Sequence, residues 1–172
     1  MDTSACRSVC YKAYKWEILF LCNTIKKQLY IYANLTNLSL SNITNMSNMF
    51  KGCIEIESLD LSGIDTSHVT TMAALFYSNN DSIEMKLKTV IGLDKFDFSS
   101  VTSLNDIFRG CRNLSGEITM DLATKPTLSN PLNRLAMNPG ATFKIKYTDN
   151  TTWINDLIKT AVNTTNVIFE KI

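Results

Sequence analysis

The chain has almost no net charge, a single histidine, few glycines and prolines, and no long apolar run; each shortage removes a class of function. Lys+Arg number 17 against Asp+Glu 16, so there is no basic excess of the kind a nucleic-acid surface needs. The longest apolar stretch, Ile18 to Cys22, falls far short of the ~20 residues of a membrane-crossing helix, so no transmembrane segment is expected. No small-residue cleavage site follows it, so there is no clear signal peptide. With His68 as the one histidine, and neither G-x-S-x-G nor H-E-x-x-H present, catalysis and cofactor binding are not expected. His68 reads more simply as a solvated turn residue. The 5 cysteines, Cys6, Cys10, Cys22, Cys53 and Cys111, lack the paired spacing and partner histidines of a zinc site.

What is present is a repeat. Ile43-Thr-Asn-Met46-Ser-Asn-Met49-Phe50-Lys-Gly-Cys53 returns 26 positions later as Val69-Thr-Thr-Met72-Ala-Ala-Leu75-Phe76-Tyr-Ser-Asn79. Val101-Thr-Ser-Leu104-Asn-Asp-Ile107-Phe108-Arg-Gly-Cys111 follows after 32, one period plus a 6-residue insertion placed at about Asn80 to Met85. The upstream halves align through Leu35/Leu61/Leu93, Leu38/Ile64/Phe96, Ser39/Asp65/Asp97 and Ser41/Ser67/Ser99. Within each unit, Ala33/Leu35, Leu59/Leu61 and Ile91/Leu93 carry the period of a strand with one buried face. Ile43, Met46, Met49 and Phe50 and their equivalents then carry the spacing of a short helix. Ser41, Ser67 and Ser99 read as its N-caps, and Gly52 and Gly110 as its C-caps, with Ser78 a weaker equivalent.

A unit this small cannot bury its own apolar edge, so the units must stack. The expected fold is α/β: a leucine-rich-repeat-like solenoid of short parallel strands and short helices with atypical capping units. Leu35, Leu61 and Leu93 should form one ladder and Phe50, Phe76 and Phe108 another, with Met46, Met49 and Met72 in the core. Residues 1–27 are read as an N-terminal cap or non-repeat segment. The solenoid spans 28–137, with units at about 28–53, 54–79 and 86–111 and a degenerate one at 112–137. Residues 138–172 are read as a C-terminal capping unit of strand (Phe143 to Tyr147), helix (Trp153 to Ile158) and strand (Val167 to Phe169). Cys53 and Cys111 share a column two units apart, about 10 Å, too far for a mutual disulfide. Both are expected to be buried thiols, while a disulfide among Cys6, Cys10 and Cys22 stays open.

The run Leu59-Asp-Leu-Ser-Gly-Ile-Asp-Thr-Ser-His-Val-Thr-Thr-Met72 resembles the repeat of the BspA-type leucine-rich-repeat surface proteins, a family that includes many mycoplasma lipoproteins. Their motif, approximately S-L-D-L-S-x-F-D-T-S-x-V-T-x-M-x-x-M-F-x-x-C, is met from Ser58 to Phe76 and in part at Leu35 to Cys53 and Leu93 to Cys111. The resemblance implies a non-enzymatic interaction or adhesion module of a bacterial or phage surface protein; the alternative reading is a structural spacer with no ligand of its own. It implies a protein or glycan partner and a cell-surface or secreted location; the missing signal leaves cytoplasmic and virion locations open.

If the solenoid binds a partner, the exposed strand face is the natural platform. Its columns are read as Tyr32/Ser58/Val90, Asn34/Asp60/Gly92 and Thr36/Ser62/Asp94, which makes Tyr32, Asn34, Thr36, Ser58, Asp60, Ser62 and Asp94 the candidate ligand-binding residues. These residues could equally do no more than solvate the sheet. The Asn80 to Met85 insertion is a second candidate, because loops added to a regular array often carry contacts. Asp60, Ser62, Gly63 and Asp65 lack the spacing of a calcium loop, and turn chemistry is the better account.

Overall fold

A computed structural model describes residues 32–34, 43–122 and 124–172. The described residues form a solenoid of short parallel strands. β1 (Tyr32–Asn34), β2 (Ser58–Asp60) and β3 (Thr89–Ile91) form one sheet; β4 (Gly116–Met120), β5 (Phe143–Tyr147) and β6 (Val167–Lys171) form a second. A single bridge, Thr89 to Ser115, carries the pairing of the first sheet on to the coil that begins the second. Among the described residues the one α-helix is α1 (Ile154–Ile158), and helix is a minor part of their structure. The strand, helix and strand expected after residue 138 are all present as β5, α1 and β6.

The repeat segments read as helices are successions of tight turns. An α-helix returns each N–H to the carbonyl four residues back. Here the N–H groups of Asn48, Phe50 and Gly52 reach the next coil, at the carbonyls of Ala73, Leu75 and Tyr77. The alternating ones, Met49, Lys51 and Cys53, close four-residue turns on Met46, Asn48 and Phe50. The next coils repeat this pattern, Ala74, Phe76 and Ser78 donating to Asn105, Ile107 and Arg109, and Asp106, Phe108 and Gly110 to Ser129, Pro131 and Asn133. The cause is visible in the backbone. Asn48, Ala74, Asp106 and Asn130 occupy one column and all have positive φ, at 61°, 55°, 54° and 48°. A left-handed residue in the middle of the segment cannot continue a right-handed helix.

The same change of conformation reassigns the caps. Ser67 and Ser99 do not cap a helix: their N–H groups donate to the carboxylates of Asp65 and Asp97, at 2.9 and 2.7 Å. Gly52 and Gly110 are left-handed as expected, at φ 72° and 81°, but they close turns. Ser78 is fully buried, and its hydroxyl donates to Asn80 O. Ser41 lies outside the described residues.

The core is a set of ladders. Phe50, Phe76 and Phe108 stack with centroids 5.7 and 5.6 Å apart and near-parallel rings, and Phe143 of β5 continues the column in a tilted contact at 5.1 Å. Met46, Met49 and Met72 are buried beside them, as are Leu61 and Leu93. Leu35 lies outside the described residues. Two inward polar groups find partners along the stack. The buried Thr66 hydroxyl accepts from the N–H of Asp97, and the Trp153 ring N–H donates to Leu122 O. Cys111 is a buried free thiol that donates to Phe76 O, and burial pushes its pKa up. Cys53 departs from expectation. It is not bonded to Cys111, but it is disulfide-bonded rather than free, and its partner lies outside the described residues.

The insertion is split in two. Ser58 pairs with Thr89, a spacing of 31 and thus five more than the repeat, whereas Thr71 bridges to Ser103 at 32, six more. The sixth residue is Gly92, which is left-handed at φ 85°. It shifts the alternation of β3 by one, so Val90 points inward at 6% exposure and Ile91 outward at 48%. Leu93 then rejoins the inward ladder as the start of a 3-10 turn, Leu93–Lys95.

Candidate functional site

The strand face assembles only part of the candidate set. Tyr32 aligns with Ser58 and Thr89, and Asn34 with Asp60 and Ile91. Val90 is therefore not in the outer column, and Gly92 is not beside Asp60; both corrections follow from the single-residue shift at Gly92. Thr36 lies outside the described residues. Asp94 is exposed, but on the 3-10 turn rather than on a strand. Asp60 is half-buried and occupied locally: its Oδ1 accepts from the Ser62 N–H at 3.0 Å and the Ser62 hydroxyl at 2.7 Å, which hold its carboxyl below the usual range. Beside this strip, Lys86 pairs with Glu55 at 2.7 Å and Lys88 with Glu57 at 2.8 Å. The face is thus a surface of matched charges and closed turns. His68 is exposed.

The insertion loop has a different character. Asn80 starts it with a side-chain turn, its Oδ1 accepting from the Ser82 N–H at 2.8 Å. Met85 and Leu87 return the chain to the core. Between these anchors the loop is gripped by side chains from the following coils. Arg109 forks onto Asp81, Nε to Oδ1 at 3.0 Å and a terminal nitrogen to Oδ2 at 2.8 Å, and also pairs with Asp106 at 3.2 Å. Bidentate geometry of this kind is the strong form of a charge-assisted hydrogen bond. Arg112 and Arg134 both donate to the backbone carbonyl of the same Asp81, at 2.5 and 2.7 Å. Glu84 accepts from Asn113 and Asn138, which are themselves hydrogen-bonded to each other at 2.8 Å.

Electrostatics follow from that geometry. The Arg109 guanidinium, and behind it the fields of Arg134 and Arg112, hold the Asp81 carboxyl below its ordinary range, and Asp81 in turn raises the pKa of Arg109. Arg109 also lies 5.2 Å from the centre of the Tyr77 ring, as does Lys51. Lys51, Tyr77 and Arg109 hold one repeat column, each directly after the stacked phenylalanine of its unit. The column could have been found in the sequence by comparing the residue that follows Phe50, Phe76 and Phe108. The convergence of Arg112 and Arg134 could not, because it depends on where the insertion folds back.

Residues 20–127, more than half of the chain, match the family described as Mycoplasma protein of unknown function, DUF285. No curated protein and no solved structure matches the chain.

Proposed function

The chain belongs to the DUF285 family, and we propose that it is a non-enzymatic interaction module of a bacterial or phage surface protein, of the BspA-like adhesive kind, with the 79–85 loop as its contact surface. The observation that carries the reading is that the insertion between two stacked coils is fixed in one conformation by three arginines and two asparagines from later coils. A loop that merely tolerated extra residues would need no such grip. Fixing a loop before binding lowers the entropy cost of recognition. The partner is a protein or a glycan, bound at the cell or virion surface.

The test replaces Asn80 to Glu84 by a short Gly-Ser segment. The expected outcome is loss of retention of surface-protein partners on immobilised solenoid, with the melting temperature lowered by only a few degrees. Retention equal to the parent protein would refute the loop as contact surface. The competing reading, a spacer with no ligand, is supported by the ion-paired strand face. It expects that neither the loop replacement nor joint substitution of Tyr32, Asp60 and Asp94 changes any interaction.

A further inference from the structure

Arg112 and Arg134 present an unusual electrostatic arrangement. Both guanidinium groups donate to one neutral oxygen, Asp81 O, and the carboxylate whose field they also feel, that of Asp81, is already held by the Arg109 fork. Among the described residues neither takes part in an ion pair, and the buried Nε of Arg112 has no hydrogen-bond partner. The acidic groups nearby are already engaged: Asp81 and Asp106 by Arg109, Glu84 by Asn113 and Asn138. Lys51, also without an ion pair among the described residues, extends the positive surface through Tyr77 and Arg109. Like charges held close repel, and an added anion relieves that repulsion.

We propose that Arg112, Arg134 and Lys51, arranged around Tyr77 and the 79–85 loop, form a docking site for the carboxylates of an acidic protein segment. The chemistry of the ligand is indicated inside the site itself, where the group seated in the Arg109 fork is a carboxylate. Guanidinium forks match carboxylate geometry in two parallel bonds. Arg112 and Arg134 converge on one atom, but Lys51 joins them only by way of Tyr77 and Arg109, so one compact anion cannot reach all three, and a chain bearing several carboxylates can. The proposal rests on the loop being a contact surface, but its test needs no natural partner.

The experiment measures binding of a dye-labelled oligoglutamate peptide to the whole chain by fluorescence anisotropy at low salt. The parent protein should bind, more weakly as salt rises. Arg112→Gln with Arg134→Gln should weaken binding by about tenfold or more, the loss of two charge-assisted contacts. Lys95→Gln with Lys159→Gln removes the same charge elsewhere on the surface and should leave affinity within about twofold. If the double arginine variant does not fold, Lys51→Gln, at the rim, should still weaken binding about threefold. Absence of peptide binding by the parent protein overturns the proposal, as does an equal effect of the lysine control. Binding of a heparin-derived oligosaccharide in place of the peptide overturns it in favour of a glycan. If the peptide binds while the loop replacement leaves partner retention intact, the proposed function fails and the carboxylate site stands.

Discussion

Gly92 sits against the backbone of Ser62, one coil away: a Cβ at Gly92 would lie 2.6 Å from Ser62 Cα and 2.8 Å from its N. Backbone cannot swing aside as a flexible side chain can, and φ of 85° is itself unfavourable for a residue with a Cβ. Gly92→Ala should therefore destabilise the fold by about 2–4 kcal/mol, the sum of strain and steric displacement. Chemical denaturation would measure it. A midpoint unchanged from the parent would mean that the shift in register at this position is not required.

Ala74 offers the opposite change. It occupies the left-handed column at φ 55°, where its counterparts are Asn48, Asp106 and Asn130, residue types that adopt this conformation more readily. Its methyl group costs about 1–2 kcal/mol there, whereas glycine has no such penalty but loses more chain entropy on folding. Ala74→Gly should raise stability by about 0.5–1 kcal/mol, seen as a higher melting temperature. A fall would show that packing of the buried methyl outweighs the backbone strain.

Asp81 makes the insertion loop sensitive to acid. Its carboxyl is held below its ordinary range by the hydrogen bonds from Arg109. A depressed folded-state value means that the stabilisation is complete above the unfolded pKa, near 4, and is lost as pH falls through the folded value. Limited proteolysis or hydrogen exchange of residues 79–85 should show the loop opening below about pH 4. In Asp81→Asn the loop should be labile at neutral pH already and show little further change on acidification. A loop equally protected in both proteins would remove Asp81 as its latch.

How much of this was legible beforehand depends on which interaction each residue obeys. The phenylalanine ladder and the buried Leu61, Leu93, Met46 and Met72 were readable, because burial imposes a period that repeats in every unit. The conformation between the ladders was not. Apolar spacing at Met46, Met49 and Phe50 fits a helix, and nothing in Ala74 announces a left-handed residue; inter-coil hydrogen bonding selects that conformation. At Gly92 the aligned columns gave the right total length, but one total can be split between two places, and only strand register locates the split. The candidate strand face suffered from that error, while the loop was placed correctly and its arginine partners were missed. Those partners are tertiary, 28 to 53 positions distant in sequence.

Met72 tests the core of the repeat. It is fully buried, and its N–H donates to Ser103 O, so its backbone is fixed between coils and its side chain cannot turn outward without breaking the stack. A lysine there would carry a charge into the ladder, with its long stem hemmed in by coils on both sides. Met72→Lys should cost several kcal/mol, of the order that unfolds a small domain. Met72→Leu, nearly equal in volume, should cost less than about 1.5 kcal/mol. The pair of variants separates burial from chemistry: if both melt like the parent, Met72 is not a core residue, and if both collapse, shape rather than charge governs the site. The expected result is a leucine variant that melts cooperatively within a few degrees of the parent and a lysine variant with no cooperative transition.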